Sequence, residues 1–262
     1  MRLPTNEENE LLLEYYKLAE DIIEQAHDKP IYYMPNVGNW GDGLIHAGTI
    51  KFFSHFNIPF KSIRSISDLK YPFRRDRLFV YGGGGGWCSL WNHGPKKTIR
   101  AIKKFNRVIV LPSTYEGAYK IRGVKLYCRD QYQSLQENPE ATFCHDMAFF
   151  IGPLTSGETG KGLGSFFRTD EESSDQIDIP DTNLDLSLKG SHKTGVFDFF
   201  AHLSPYKLIE TDRLHVAIGG CLLDKSVKLY PGKYFKNKAV YESSLKPFYP
   251  KCEFLDSHQN VK

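Results

Sequence analysis

The stretch IYYMPNVGNWGDGLIHAGTIKFF, Ile31–Phe53, decides the fold. Four apolar residues, Ile31–Met34, make a short strand, and a turn punctuated by Pro35, Gly38, Gly41 and Gly43 leads into apolar residues at helical spacing. A strand that passes through a glycine turn into a helix is the first half of a right-handed βαβ crossover, which joins parallel strands. Outward from it the alternation continues with RLFVY (Arg77–Tyr81), GPKKTIRAIKKF (Gly94–Phe105), RVIVLP (Arg107–Pro112), VKLYC (Val124–Cys128), DQYQSLQEN (Asp130–Asn138) and ATFCHD (Ala141–Asp146). This pattern predicts an α/β domain with a doubly wound parallel sheet, preceded by one helix in the start MRLPTNEENELLLEYYKLAEDIIEQA (Met1–Ala26).

The segment GPLTSGETGKGLG, Gly152–Gly164, is dense in turn formers and marks a domain boundary. Three regions are expected: an N-terminal Rossmann-like domain over 1–150, a smaller α/β domain over 151–250, and a loosely held tail over 251–262. In the second domain GSFFRTD, KLIET and SVKLY read as strands, RLHVAIGGCLLD and KNKAVYESSL as helices, and DEESSDQIDIPDTN (Asp170–Asn183) as an exposed acidic loop.

Composition narrows the function. The chain has 262 residues, 40% of them hydrophobic, and a net charge of +3 with basic residues dispersed, which is globular and too weakly basic for a nucleic-acid footprint. No window is apolar for long enough to span a bilayer, and the acidic, leucine-rich start is not a secretory leader. The five cysteines are odd in number and never form a CxxC pair, so a reducing cytoplasm is the expected compartment and neither disulfides nor zinc are. The histidines show no metal-binding spacing and there is no GxSxG elbow, so no metal and no serine nucleophile are assigned.

Three places carry the candidate chemistry. Five glycines, Gly82–Gly86, follow the strand RLFVY, and a bare backbone beyond a strand end admits a close ligand, with Gly83, Gly84 and Gly85 as the contacts; the alternative is a tight turn. No Gly-Lys-Ser/Thr follows, so a nucleoside triphosphate is disfavoured. In NWGD, Asp42 reads either as a helix N-cap or, with Asn39, as a holder of a substrate hydroxyl, and Trp40 as a sugar platform or a core residue. In TDRLH (Thr211–His215), Arg213 and His215 crowd a helix start that repels cations unless an anion sits among them, whereas the plain alternative is an ion-paired Arg213 and a hydrogen-bonded His215. Arg129 in YCRDQYQS and Arg168 in FFRTDEE also stand at strand ends.

In order, GNWGD, the strand before GGGGGW, YCRDQYQS, CHDMAFF, FFRTDEE and IETDRLHVAIGGCLL with KNKAVYESSL resemble the polysaccharide pyruvyl transferase family, from about Pro30 to Leu245. The resemblance implies two Rossmann-like domains in a GT-B-like arrangement; this sequence departs from the family in the short stretch between Asp170 and Thr211, which shortens its second domain. It implies transfer of a pyruvyl group from phosphoenolpyruvate onto a sugar of a glycan or exopolysaccharide precursor, free or lipid-linked, as a ketal with release of phosphate. Arg213, Leu214 and His215 would correspond to the family's donor-binding Arg-Leu-His, with Arg129 as a further anion contact. On this reading His215 is the general acid, Asp42 and Asp146 orient or deprotonate the acceptor, and no cofactor beyond the donor is needed. The rivals are a GT-B glycosyltransferase using a nucleotide sugar and a glycan-binding relative without turnover.

Overall fold

A computed structural model describes residues 10–69, 76–154, 160–173 and 178–256. Within it the chain divides into two compact units, Met1–Asn36 with Gly48–Phe150, and Val37–Ala47 with Ile151–Lys262. The expected boundary stretch, the acidic loop and the tail each lie partly outside the described residues.

The first unit begins with α1 (Glu10–Ala26), whose Tyr15, Leu18, Ala19, Ile22 and Ala26 are buried at the three- and four-residue spacing of one helix face. Then come β1 (Ile31–Met34), α2 (Trp40–His55), β2 (Phe60–Ser62), β3 (Leu78–Tyr81), β4 (Gly84–Trp87), α3 (His93–Ile102), β5 (Arg107–Tyr115), β6 (Val124–Cys128), α4 (Gln133–Glu137) and β7 (Thr142–Phe143). The strands pair in the order β2-β1-β3-β5-β6-β7, all parallel. Strands β1 and β3 are buried at every position, as a sheet covered on both faces requires. The chain leaves β1 in one direction for β2 and returns on the other side for β3, which makes the β1/β3 gap the switch point of a Rossmann-like sheet.

The glycine run departs from the expected ligand loop. Gly84–Trp87 resumes as strand, paired like β3 with β5, so Gly82 and Gly83 only interrupt one line of sheet. Gly83 lies so close to its neighbour that a Cβ would sit 2.2 Å from the Pro112 carbonyl oxygen. Gly84 has φ 122°, where the register with β5 shifts, and Gly85 is a half-buried strand residue. Backbone packing therefore explains glycine at Gly83 and Gly84.

The second unit has β8 (Leu163–Ser165), α5 (Phe197–Leu203), β9 (Leu208–Thr211), α6 (Leu214–Leu222), β10 (Ser226–Leu229), α7 (Lys236–Val240), α8 (Lys246–Phe248) and β11 (Cys252–Phe254). Its sheet runs β11-β10-β9-β8, again all parallel. α6 is apolar and buried along almost its whole length, as suits a helix laid on a sheet. A π-helical turn over Tyr241–Leu245 links α7 to α8, so the helix expected over KNKAVYESSL is a broken one. The tail is corrected: Cys252–Phe254 pairs with β10, Cys252 is buried, and Leu255 N–H donates to Leu229 O at 3.0 Å, so Pro250 does not end the fold.

No helix of the described residues is long and apolar enough to cross a membrane.

Replacing Gly83 by Ala should cost about 1–3 kcal/mol of stability, the usual cost of overpacking, because the blocking atom is backbone and cannot swing away. Gly195→Ala, where an added Cβ meets nothing within 4 Å, should stay within about 0.5 kcal/mol. Urea unfolding of both variants checks this, and equal losses would contradict the packing account.

Candidate functional site

The turn from β9 to α6 carries TDRLH and is tied from several sides. The Thr211 hydroxyl donates to Phe166 O at 2.6 Å and accepts the Arg213 N–H at 2.9 Å. Arg213 stands at the N-cap of α6 in an extended conformation and makes no side-chain cap bond, and the first turn of α6 carries no acidic residue. Asp212 accepts the Arg168 N–H at Oδ1, 2.8 Å, and Asn237 Nδ2 donates to Asp212 O at 2.6 Å and to Tyr230 O at 2.9 Å.

The arginines expected to await an anion already hold carboxylates. Arg213, 3% exposed, donates from Nε to Asp185 Oδ1 at 2.9 Å and from Nη2 to Asp185 Oδ2 at 2.5 Å, with Asp170 Oδ2 at 2.9 Å. Asp185 is itself fixed by the N–H and the hydroxyl of Thr169. Arg168 donates from Nε to Asp170 Oδ1 at 2.8 Å and from Nη1 to Glu172, whose other cation is Lys236 at 2.7 Å. Asp170 and Glu172 thus turn inward from a segment that reads as an exposed acidic loop, and Asp185 does so just beyond it. Asp170 and Glu172 pair locally with Arg168, whereas the pairing of Asp185 with Arg213 was illegible because the two lie 28 residues apart.

Three cations, Arg168, Arg213 and Lys236, face three carboxylates, Asp170, Glu172 and Asp185, and Asp212 is a fourth carboxyl beside a balanced set. Burial pushes the Asp212 carboxyl up to about 6, against the Arg168 N–H and the two guanidinium charges; its Oδ2 is buried without a hydrogen-bond partner. Burial also raises Asp170, but the Arg168 hydrogen bonds and the charges of Arg168 and Arg213 outweigh it and hold that carboxyl at about 2.

The start of α2 belongs to this same unit. Asn39, not Asp42, caps it: Asn39 Oδ1 accepts the Gly41 N–H at 2.9 Å. Asp42 sits in the first turn and folds back over Gly38, where a Cβ would lie 1.9 Å from its Oδ2. Trp40 is core rather than platform, 3% exposed, with Nε1 donating to Gly195 O and its ring edge-on to Phe199. The backbone of Asn39 bridges Ser191, and His192 N–H donates to Gly38 O at 3.1 Å.

The first turns of α2 and α6 then meet. Gly41 is so close to His215 that a Cβ would lie 2.5 Å from Nδ1, which is why a glycine stands there. Two helix starts, each with outward N–H groups and partial positive charge, therefore share the half-buried His215. His46 and His192 are nearby: burial first, and then the charge of His192, lowers the His46 imidazole below its ordinary value. Leu214, expected at the donor, is buried on the core side of α6.

Arg129 and Asp146 lie in the first unit and are paired to each other. The Arg129 guanidinium, 1% exposed, donates to Asp146 Oδ2 at 2.5 Å and to Thr114 Oγ1 at 2.8 Å, and Asp146 Oδ1 accepts the Ala148 N–H. The expected anion contact and acceptor base form a buried ion pair instead. Asp130 Oδ1 accepts the Ser134 N–H, so the serine four residues on is held by the aspartate.

The family model for polysaccharide pyruvyl transferase matches residues 39–227. The crystal structure of a functionally uncharacterized protein from Klebsiella pneumoniae subsp. pneumoniae NTUH-K2044 is similar with a TM-score of 0.76 and 29% sequence identity, over 95% of this chain and 99% of that one. A search of curated proteins finds no match.

Asp212 makes stability depend on pH in a direction opposite to an ordinary paired carboxylate. Its folded value is raised above the unfolded one, so its contribution is fully present below about 3.8 and is lost as pH rises through about 6. Asp212→Asn keeps an acceptor for the Arg168 N–H and cannot ionise. Relative to the parent it should gain up to about 3 kcal/mol on going from pH 4 to pH 7.5 in urea unfolding. A difference that does not change with pH would contradict the assignment.

Proposed function

The chain belongs to the polysaccharide pyruvyl transferase family, and from that premise we propose that it transfers a pyruvyl group from phosphoenolpyruvate to two hydroxyls of a sugar acceptor. The product is a ketal and the leaving group is phosphate. The GT-B-like pairing of domains that the sequence resemblance implies is part of the proposal. The observation that carries it is the meeting of the first turns of α2 and α6 around His215, since two helix starts and an imidazole form a setting for a small multiply charged anion.

In this reading the donor's anionic groups face the N–H groups of the two helix starts. His215 in its protonated form gives a proton to the methylene carbon of phosphoenolpyruvate, and C2 becomes electrophilic as the double-bond electrons move to form the C–H bond. The first sugar hydroxyl adds its oxygen to C2 and loses its proton. The second hydroxyl then takes the place of phosphate at C2, closing the ring; the C–O bond to phosphate breaks and phosphate carries its electrons away. Of the two hydroxyl protons, one replaces that given up by His215 and the other leaves with phosphate. Asn39 and Asp42, on the first turn of α2, are the proposed contacts for the acceptor hydroxyls. The scheme calls for no cofactor beyond the donor.

Arg213 enters as a positioning residue. Its side chain is committed to Asp185 and Asp170, so it sets the start of α6 and with it His215.

The donor is tested by thermal unfolding with each candidate ligand. Phosphoenolpyruvate at 100 times its Kd should stabilise the fold by about 2.7 kcal/mol, while UDP- and GDP-sugars leave it unchanged. Protection by nucleotide sugars alone would point to a glycosyltransferase. His215→Gln should still be protected by phosphoenolpyruvate yet release phosphate at least about a hundredfold more slowly with a mixed glycan acceptor pool. Parent-like turnover in that variant would remove His215 from the chemistry.

A further inference from the structure

The second unit carries an exposed apolar patch that its own core does not use. In the 3₁₀ turn Leu186–Lys189, Leu186 is buried while Leu188 is 54% exposed. In α5, Phe199, Phe200 and Leu203 are buried while Phe197 is 82% exposed. Val37, in the same unit, is 52% exposed. A phenylalanine left almost wholly in water gains nothing from folding, so its ring is available to another surface.

The three residues are placed around one anchor, the buried indole of Trp40. A Cβ on Gly190, two residues after Leu188, would lie 2.4 Å from Trp40 Cδ2. Trp40 Nε1 donates to the carbonyl of Gly195, two residues before Phe197, and Phe199, two residues after it, meets the indole edge-on. Val37 joins through Gly38, whose carbonyl accepts the His192 N–H. Between these points the chain is pinned, since Ser191 N–H donates to Thr194 Oγ1 at 2.9 Å and Thr194 N–H donates back to Ser191 O at 2.9 Å. Side chains held this way are presented with little ordering left to do.

The charge around the patch selects the occupant. Between Leu186 and Leu203 the exposed charged side chains are Lys189, Lys193 and Asp198, two ammonium groups against one carboxylate. Neither ammonium is paired with a carboxylate among the described residues. An aromatic tip flanked by ammonium groups suits the interface of an anionic bilayer, where the ring enters the headgroup boundary and the cations meet lipid phosphates. Three apolar side chains are few for a protein partner, which takes roughly 20–30 residues a side.

We propose that Val37, Leu188 and Phe197, with Lys189 and Lys193, form a docking surface for an anionic lipid bilayer. The patch borders the first turn of α2, because the backbone of Asn39 bridges Ser191. A docked chain therefore holds the proposed acceptor contacts beside the headgroups, where a lipid-linked sugar would be; that consequence, unlike the surface itself, rests on the function proposed above.

The full chain is sedimented with vesicles of equimolar phosphatidylglycerol and phosphatidylcholine, and with vesicles of phosphatidylcholine alone. It should bind the anionic vesicles, and neutral lipid or raised salt should weaken the binding. Phe197→Ser should lower the partition about tenfold and Lys193→Gln about fivefold, neither moving the thermal midpoint. Ile99→Ser, which changes an exposed apolar residue of the first unit, should bind like the parent. No binding to anionic vesicles, or equal binding by the parent and Phe197→Ser, would overturn the surface. So would a parent dimer in sedimentation velocity that Phe197→Ser dissolves, which would make the patch an interface between copies. Vesicle binding without phosphate release from phosphoenolpyruvate and glycan acceptors leaves the surface standing and removes the transferase reading, and turnover without vesicle binding does the reverse.

Discussion

The buried pair between Arg213 and Asp185 is the contact on which the second unit's functional end depends. Arg213 reaches Asp185 through both Nε and Nη2, while its own N–H is held by Thr211 and its carbonyl begins α6. One guanidinium therefore joins the end of β9, the start of α6 and the segment before the 3₁₀ turn at Leu186–Lys189. Removing one partner of such a pair costs about 3–5 kcal/mol, because the other charge is left buried and alone. The same energetics explain why Arg168, Asp170, Glu172 and Lys236 are assembled around it: each charge taken out of water has an opposite one within hydrogen-bond reach.

That cluster sets what the helix start can do. Arg213 and Arg168 are neutralised by their own carboxylates, so in the proposed reading the attraction for an anionic donor rests on the N–H groups of the first turns of α2 and α6 and on His215. Asp212, at the junction of the cluster and the turn, has a carboxyl that burial pushes up to about 6, against the Arg168 N–H and the neighbouring guanidinium charges.

Much of the architecture was legible. Apolar four-residue runs alternating with helical spacing foretold parallel sheets, and IYYM followed by a glycine turn marked a βα unit. The strand that resumes at Gly84 leaves no signal in the glycine run, because a strand interrupted by Gly82 and Gly83 has the same composition as a turn, and only β5 lying alongside shows it is sheet. The three-residue strand at Cys252–Phe254 is too short for alternation to register. In the sequence TDRLH stands out through its cations at a helix start, and in the structure Arg213 takes the plain alternative, an ion pair. What sequence could not supply was pairing: Asp185 for Arg213 and Asp146 for Arg129 are long-range choices made by the sheets.

The central claim is that a pyruvyl ketal forms on a sugar. Mass spectrometry of a defined panel of oligosaccharides, incubated with the chain and phosphoenolpyruvate labelled with carbon-13 in its three-carbon unit, tests it most directly. The account predicts an acceptor that gains the mass of a labelled pyruvyl ketal, with one phosphate released for each ketal formed. Phosphate release that leaves every sugar unlabelled, or labelled sugar in which the phosphate is retained, would contradict it.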